Sequence, residues 1–470
     1  MHVFDKLHEE CGVFGIYLKD GKTGVVPAAY HALYALQHRG QESCGIAVNN
    51  DGVIDCYKDV GLVNEVFTRD VLEKLHEGSM AVGHCRYGTT GTQSRGNAQP
   101  LLVNHLKGAL ALCHNGNLTN CPSLRRKLED EGAIFHSNSD TEVLMHLIRR
   151  SMQRTFMDKL KEALNTVHGG FAYLLMTEDA MIGALDPNGF RPLSLGKMKN
   201  GAYVLASETC ALDVVGAELV RNIRPGEIVV VNDHGYKIVQ YTNNTQLAIC
   251  SMEYIYFARP DSDIDGCNVH AYRKESGRLL WKEAPAEADI VVGVPDSSLS
   301  AAMGYAEASG LPYEMGLIKN KYIGRTFIQP SQELREKGVR MKLSAVRSIV
   351  RGKRVVLVDD SIVRGTTSRR IVTMLKEAGA TEVHVRIASP PMTDPCFYGV
   401  DTSTREELIS ARKNTAGVCE EIGADSLVFL SPESLLKAGS RKELCMACFT
   451  GQYPTALYQS PEEANKDVKC

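Results

Sequence analysis

The chain has 470 residues, more than the roughly 100–200 residues of one typical domain, so we expect two or more domains. Charged residues make up 23% of it, the formal net charge is −3 and no Lys- or Arg-rich run occurs, which argues against a nucleic-acid or membrane-surface binder. No apolar stretch reaches the ~18–20 residues of a membrane span, and the N-terminus lacks the apolar segment of a secretory signal. We therefore expect a cytoplasmic protein, whose fourteen cysteines serve as nucleophile, metal ligands or buried thiols rather than as disulfides.

The apolar run CGVFGIYL at 11–18 predicts a strand that begins with a cysteine. Taken alone, Cys11 is more often a buried strand thiol than a nucleophile. Four further strings follow it: LQHRGQES at 36–43, GHCRYGT at 83–89, HNGNL at 114–118 and SDTE at 139–142. In this order the strings resemble the class II glutamine amidotransferases, which have an N-terminal-nucleophile (Ntn) αββα sandwich.

The resemblance implies that Cys11 is the nucleophile and that its own α-amine is the base. A thiol of pKa ~8.5 is mostly protonated at neutral pH, and an α-amine of pKa ~7.7–8.0 can take up its proton. Because an internal cysteine has no free α-amine, we expect residues 1–10 to be a propeptide that is cut between Glu10 and Cys11.

Four other residues receive roles from the same resemblance. Arg86 would hold the glutamine α-carboxylate, Asp140 the α-ammonium, and Asn115 with the backbone N–H of Gly116 would form the oxyanion hole. Taken separately, HNGNL is also compatible with a plain turn and Arg86 with a surface ion pair.

Three more residues of these strings receive only a supporting role, namely Arg39, His84 and His114. Residues 168–232 alternate apolar runs with turns, which predicts hairpins and strands that complete the sandwich. Within them, DPNGFRPL and SETCALD also resemble the amidotransferases, where they help to close the glutaminase. The polar stretch QYTNNTQ at 240–246 favours a boundary between a first domain at 11–240 and a second one from about 250.

The string VVLVDDSIVRGTT at 355–367 predicts a strand buried on both faces, a short loop and a helix that opens near Ser368. The N-terminus of that helix would cradle a phosphate. Asp359 and Asp360 end the strand where open α/β sheets bind ligands, and they suit sugar hydroxyls or Mg²⁺. An ordinary strand and turn with a solvated acidic end is the alternative. The loop residues that we expect at a ribose phosphate are Ser361, Gly365, Thr366 and Thr367.

This string resembles the phosphoribosyl pyrophosphate (PRPP) loop of the type I phosphoribosyltransferases. Together with the N-terminal strings it resembles the glutamine PRPP amidotransferase family, over roughly residues 3–458. The resemblance implies a parallel-sheet α/β phosphoribosyltransferase domain at 250–470, after the glutaminase. It implies synthesis of 5-phosphoribosylamine, glutamate and pyrophosphate from PRPP, glutamine and water, the first committed step of purine synthesis, with ammonia passed internally from Cys11.

Residues 288–310 repeat the order strand, loop, helix, and the resemblance assigns Ser297 to Mg²⁺ beside Asp359 and Asp360. The polar and basic stretch 321–343 predicts a mobile lid over PRPP, or otherwise an ordinary exposed loop. Its cations available to pyrophosphate are Lys321, Arg325 and Arg340 or Lys342.

Cys445 and Cys448 form a C-x₂-C pair, which alone is compatible with a redox, zinc-binding or incidental role. Resemblance to the propeptide-bearing, iron–sulfur subgroup of the family implies that they ligate a [4Fe–4S] cluster with Cys250 and Cys396. Four thiolates equally suit zinc.

The resemblance also implies a homotetramer that purine nucleotides inhibit. Another glutamine-dependent synthase and a PRPP-sensing regulator are the alternatives. The PRPP loop argues against the first, and Cys11, Arg86, Asp140 and the lack of a basic DNA-binding segment argue against the second.

Overall fold

The structure is a computed structural model that describes residues 11–19, 24–87, 95–105, 108–320, 343–402 and 404–457. The expected propeptide at 1–10 and nearly all of the expected lid at 321–343 lie outside these residues. Among the described residues, no helix is both long and apolar enough to cross a membrane.

The first half of the chain forms two antiparallel sheets. One has seven strands in the order β11-β9-β10-β1-β4-β2-β3, and the other has six in the order β13-β12-β8-β7-β6-β5. The strands are β1 (Gly12–Tyr17), β2 (Ser43–Asn50), β3 (Val53–Val60), β4 (Met80–Arg86), β5 (Leu101–His105), β6 (Gly108–Leu118), β7 (Gly169–Met176), β8 (Met181–Leu185), β9 (Ser194–Met198), β10 (Tyr203–Ala206), β11 (Ala217–Asn222), β12 (Glu227–Asn232) and β13 (Gly235–Gln240).

The two sheets pack face to face through a core that includes Val13 and Val82 of one and Leu174 and Val229 of the other. Helices cover the outer faces, so every residue of β7 is buried, which explains its unbroken apolar run GGFAYLLM. The predicted αββα sandwich is therefore confirmed. Its helices are α1 (Val25–Ala35), α2 (Val63–Val66), α3 (Arg69–Lys74), α4 (Cys121–Asp130), α5 (Thr141–Arg150), α6 (Phe156–Thr166) and α7 (Thr209–Val215).

The second half is built on a four-stranded parallel sheet in the order β17-β20-β21-β22. Its strands are β17 (Ile290–Gly293), β20 (Arg354–Asp359), β21 (Glu382–Ile387) and β22 (Ser426–Phe429). Both predicted strand–loop–helix units are present. The helix after β20 begins at Thr366 rather than near Ser368, so Thr366 and Thr367 lie in its first turn and not in the loop.

A short pairing joins the middle of the chain to its C-terminal part, because β14 (Ile249–Cys250) runs parallel to β23 (Leu444–Cys445). A π-helical turn, Glu253–Phe257, follows β14. Two further two-stranded sheets are β15 (Asp263–Ile264) with β16 (Cys267–Asn268) and β18 (Leu317–Lys319) with β19 (Leu343–Ala345). The remaining helices are α8 (Val269–Glu283), α9 (Leu299–Ser309), α10 (Arg347–Val350), α11 (Thr366–Glu377), the 3₁₀ turn Arg405–Glu407, α12 (Ile409–Arg412), α13 (Thr415–Ile422), α14 (Pro432–Ala438) and α15 (Ala447–Thr450).

Candidate functional site

Cys11 lies immediately before β1 and is half-buried. Its Sγ donates to the carbonyl oxygen of Tyr87 at 3.6 Å, and its own carbonyl oxygen accepts a hydrogen bond of 3.1 Å from Nε of Arg39. Gly12 pairs with Cys85 across β1 and β4, so Cys11 stands beside Arg86. The thiol and this guanidinium therefore share one end of the seven-stranded sheet.

Arg86 and Asp140 are both buried. Nη1 of Arg86 lies 3.4 Å from a carboxylate oxygen of Glu42. Asp140 accepts a 2.9 Å hydrogen bond from the N–H of Leu118, and its other oxygen lies 3.4 Å from Nδ1 of His114. Burial alone would raise the pKa of Asp140, but the charge and hydrogen bond of His114 and two backbone N–H groups outweigh it and lower that pKa. A guanidinium and an ionised carboxylate are thus available for an amino acid's α-carboxylate and α-ammonium.

Asn115 and Gly116 lie on β6. The Asn115 side chain is fully buried, and neither of its amide atoms has a hydrogen-bond partner among the described residues. Such an orphaned amide costs about 1–3 kcal/mol, so it requires an explanation such as a ligand. Gly116 has φ of 139°, and a Cβ there would lie 2.0 Å from the carbonyl oxygen of Gly170, so only glycine fits.

His84 connects the two sheets at this point. Its Nε2–H donates to the carbonyl oxygen of His114, the residue before Asn115, at 2.9 Å. Burial lowers the pKa of His84 to about 3, so its ring is neutral at physiological pH. This contact brings β4, which carries Arg86, next to the strand of the predicted oxyanion hole.

Asp359 ends β20 and Asp360 follows it, and both are buried among hydroxyl groups. Ser298 donates to Asp359 at 2.8 Å, Ser361 donates to Asp360 at 2.8 Å, and Ser297 also donates to Asp360. The two strand–loop–helix units thus meet at the carboxyl ends of β17 and β20. The sequence named Ser297 but missed Ser298, which contacts both carboxylates.

The helix after this loop begins behind Gly365, whose φ of 83° is left-handed. Gly365 has no side chain that could cap the first N–H groups of α11, and such groups at a helix N-terminus are suited to phosphate. The cations predicted for pyrophosphate, Lys321, Arg325, Arg340 and Lys342, lie outside the described residues.

Comparisons with known proteins bear on both halves. The family model described as glutamine amidotransferase domain matches residues 84–214, and that described as phosphoribosyl transferase domain matches residues 270–389. An amidophosphoribosyltransferase of Bacillus subtilis (strain 168) is 58% identical over 460 residues, which cover 96% of this chain and 96% of that protein. One of Staphylococcus aureus (strain MRSA252) is 55% identical over 464 residues, which cover 97% of this chain and 93% of that protein.

The chain belongs to the amidophosphoribosyltransferase family. A solved structure of glutamine PRPP amidotransferase from B. subtilis, complexed with ADP and GMP, matches with a TM-score of 0.90 and 57% identity, and the match covers 96% of this chain and 98% of that one. A structure described as the allosteric regulatory enzyme of purine biosynthesis matches with a TM-score of 0.91 and 57% identity, over 96% of this chain and 97% of that one. The predicted family and two-domain fold are thereby confirmed.

Four cysteines of the second half line one cavity of about 390 Å³, a volume that includes its open mouth. Burial raises the pKa of Cys445 to about 12 and that of Cys448 well above its usual value. Among the described residues, no group of three or more His, Cys, Asp or Glu side chains has an arrangement that could hold a metal ion. The cavity has the composition of a four-thiolate site. Its four thiols are Cys250, Cys396, Cys445 and Cys448.

A buried ionic network between the halves was not predicted from the sequence. Arg39 donates to Glu208 at 2.6 Å and to both carboxylate oxygens of Glu253 at 2.8 and 2.6 Å, and all three side chains are buried. Arg191 donates to the carbonyl oxygen of Tyr398 at 2.7 Å. The strings SETCALD and DPNGFRPL, which contain Glu208 and Arg191, resembled the amidotransferases, but they did not indicate that these side chains contact the second half.

Proposed function

We propose that this chain catalyses the amidophosphoribosyltransferase reaction, the first step of purine biosynthesis, in which PRPP, glutamine and water give 5-phosphoribosylamine, glutamate and pyrophosphate. One observation carries this proposal. Arg39, which binds the carbonyl of Cys11, is also paired with Glu253 of the second half, so the two candidate sites are joined within one chain. The glutaminase domain would comprise residues 11–240 and the phosphoribosyltransferase domain residues 250–470.

In the glutaminase half, Arg86 and Asp140 would hold the α-carboxylate and α-ammonium of glutamine. The Cys11 thiol gives its proton to the α-amine, and the thiolate attacks the side-chain amide carbon. The amide of Asn115 and the N–H of Gly116 would stabilise the oxyanion. The C–N bond then breaks, ammonia leaves with the proton, and water hydrolyses the thioester to glutamate.

This chemistry requires a free α-amine on Cys11, so residues 1–10 would be removed. Mass spectrometry of active protein should find Cys11 at the N-terminus. If active protein retains Met1, the α-amine cannot be the base and that part of the proposal is wrong.

In the second half, ammonia attacks C1 of the ribose and pyrophosphate leaves. The N–H groups and hydroxyls of the loop after β20 and of the first turn of α11 would bind the 5-phosphate. Closure of the lid with Lys321 and Arg325 would exclude water from the reacting ribose. The residues concerned are Ser361 and Gly365 of the loop, and Thr366 and Thr367 of the first turn of α11.

Mg²⁺ would be held by Ser297, Asp359 and Asp360. The donor set fits, because two buried carboxylates with hydroxyl neighbours are oxygen ligands, and Mg²⁺ needs few of them when substrate phosphates supply the rest. When bound, the ion would neutralise charge on the leaving pyrophosphate.

The cavity thiols Cys250, Cys396, Cys445 and Cys448 would hold a [4Fe–4S] cluster with a structural role. The four-thiol composition of the cavity supports this, and zinc is the alternative. Anaerobically purified protein should be brown and contain iron and sulfide. A colourless protein with one zinc per chain would favour zinc instead.

We further propose a cytoplasmic homotetramer without a nucleic-acid partner. Its inhibitors would be purine nucleotides, in line with the ADP and GMP of the related B. subtilis structure.

The decisive experiment measures glutamate and pyrophosphate release by mature protein with glutamine and Mg²⁺, with and without PRPP. Equal amounts of both products, formed only with PRPP, are expected. Glutamate without pyrophosphate would favour another glutamine-dependent synthase. Neither product, from protein that is correctly processed and loaded with iron, would favour a PRPP-sensing regulator.

A further inference from the structure

Arg273, on α8, is a buried cation without a carboxylate partner. It is 3% exposed and donates to the carbonyl oxygens of Tyr254 at 2.7 Å and Ala258 at 2.8 Å. Among the described residues, no carboxylate forms an ion pair with it. Buried charges are normally paired, so a lone guanidinium needs a physical reason.

The carboxylate that Arg273 faces at a distance is Asp360. Both residues line a cavity of about 230 Å³, together with Ser297, Ser298 and Ile255. Burial lowers the pKa of Arg273 to about 10, and the negative charge of Asp360 is the strongest influence that opposes this. Arg273 therefore lies directly behind the candidate PRPP and Mg²⁺ site.

The carbonyls that Arg273 binds belong to the π-helical turn Glu253–Phe257 and to the residue after it. π-Helical turns are rare and are often found at functional sites. Glu253, the first residue of this turn and the neighbour of Tyr254, binds the guanidinium of Arg39, which in turn binds the carbonyl oxygen of Cys11 at 3.1 Å. Direct hydrogen bonds thus lead from Arg273 through the turn to the nucleophile.

We propose that Arg273 is a positioning residue that couples occupancy of the PRPP site to the glutaminase, by holding the turn Glu253–Phe257 between Asp360 and the Arg39–Cys11 contact. This inference rests on the proposed function, because it assumes that PRPP binds beside Asp360. It assigns to Arg273 no contact with the reacting atoms.

The coupling has a physical basis in charge. PRPP brings several negative charges to the far side of the cavity, and a guanidinium without a partner is attracted towards them. Its hydrogen bonds to the carbonyls of Tyr254 and Ala258 then weaken. Because these bonds hold the turn at Tyr254, next to Glu253, and at Ala258, just after its last residue, Glu253 and the Arg39 that it binds change position when PRPP arrives.

The test uses mature full-length protein with Arg273→Gln and Arg273→Lys. Arg278→Gln is the matched control, because Arg278 lies on the same helix but has a side chain that is 40% exposed and pairs with Glu275 and Glu307. Glutamate release is measured with and without PRPP, and pyrophosphate release is measured with ammonium chloride in place of glutamine. These two assays separate the coupling from the chemistry of either site.

In Arg273→Gln, the stimulation of glutamate release by PRPP should fall by about fivefold or more, within the ~5–150-fold range of such couplings. Glutamate per pyrophosphate should rise above one, since glutamine is then hydrolysed without coupling to PRPP. Arg273→Lys, which keeps the charge, should lose less of the stimulation, and Arg278→Gln should match the wild type.

Unchanged stimulation in both Arg273 variants would overturn the inference. So would a proportional loss of both activities with stimulation intact, because that describes a purely structural role. If Arg273→Gln does not fold, Arg273→Lys decides between these outcomes. A wild-type protein that releases no pyrophosphate from either nitrogen source would instead contradict the proposed function, whatever the variants do.

Discussion

Cys11 differs from the cysteines beside it on the strands. Burial raises the pKa of Cys85 and Cys113 well above the usual value, which keeps these thiols protonated and unreactive. Cys11 instead lies at the open end of a strand, with its Sγ towards the carbonyl oxygen of Tyr87 and its backbone held by Arg39. We therefore expect the position at the start of β1, together with the thiol itself, to distinguish Cys11 from the buried cysteines as the nucleophile.

Replacing Cys11 by Ala should lower glutamine-dependent synthesis by about 10⁴-fold or more, because the covalent step needs the thiol. Ammonia-dependent synthesis should stay at the wild-type level, since it bypasses that step. Pyrophosphate release with each nitrogen source measures both. Cys56→Ala is the control, because burial raises the pKa of the Cys56 thiol to about 11. Loss of both activities in a folded Cys11→Ala protein would contradict the division of labour between the halves.

His114 keeps the buried Asp140 ionised, so its replacement should make glutamine binding depend on pH. In His114→Leu, the charge and hydrogen bond of His114 no longer oppose the burial of Asp140, and its pKa rises. Protonated Asp140 cannot hold an ammonium group. The glutamine KM of this variant should therefore increase as pH falls from about 8 to about 5, by up to tenfold for each unit below the raised pKa.

The lowered pKa of Asp140 also determines how the stability of the wild-type protein depends on pH. The lowered pKa of Asp140 contributes stability that is fully present above the unfolded pKa near 3.9 and is lost as pH falls through the folded value. The wild-type glutamine KM should hence show no rise from Asp140 over the same range. His76→Leu, at an exposed pair with Asp55, is the control. A pH-independent KM in His114→Leu would show that His114 does not set the charge of Asp140.

At the scale of elements, the start of α11 has a left-handed backbone at Gly365 and close packing around it. Gly365 has φ of 83°, and a Cβ there would lie 2.7 Å from the side chain of Ile409. Gly310, which ends α9, has φ of 73° but no atom within 4 Å of such a Cβ. The two positions therefore share a left-handed backbone, which strains any L-residue, and differ in what surrounds them.

Gly365→Ala and Gly310→Ala should each lower the free energy of unfolding by about 1–2 kcal/mol, the cost of a left-handed conformation for an L-residue. Only Gly365→Ala should raise the KM for PRPP, because displacement by Ile409 moves the first N–H groups of α11 away from the phosphate. Urea unfolding and PRPP titration of both variants measure this. An equal KM in the two would mean that the start of α11 does not bind PRPP.

Short sequence strings were sufficient to predict the strand β20 and the helix α11. They did not predict contacts between residues that are distant in the chain. The run VVLV before Asp359 predicted a strand with both faces covered, and β20 is such a strand, because hydrophobic periodicity is a local property. The start of α11 was predicted two residues late, since a helix beginning behind a glycine has no polar capping residue to mark it. The roles of the site residues stay predictions.

At the scale of the whole molecule, the contacts between the halves gave almost no signal in the sequence. Arg39 and Glu253 are separated by 214 residues, and a lone Glu before an apolar run is more often solvated than paired. Ser298, next to the expected Ser297, was missed because either hydroxyl could face the carboxylates until the loop geometry is fixed. Pairing of this kind follows from the assembled fold and not from local pattern.

Removal of the Arg39 guanidinium should therefore destabilise the molecule far more than removal of an exposed one. Arg39→Gln removes the guanidinium that the buried carboxylates of Glu208 and Glu253 share, which should cost about 3–5 kcal/mol in the free energy of unfolding. Arg69→Gln, at an exposed pair with Glu73, should cost about 0.5 kcal/mol or less.

The dependence on pH distinguishes lost charge pairing from lost packing in Arg39→Gln. Arg39 helps to hold the pKa of Glu208 and Glu253 below the usual range against the effect of burial. Without it, burial raises both pKa values, and these glutamates take up protons when the variant folds. The difference in free energy of unfolding between the wild type and Arg39→Gln should therefore become smaller as pH falls from about 7 to about 5. Urea unfolding across this pH range measures that difference. A difference that does not change with pH would mean that Arg39 acts through packing alone.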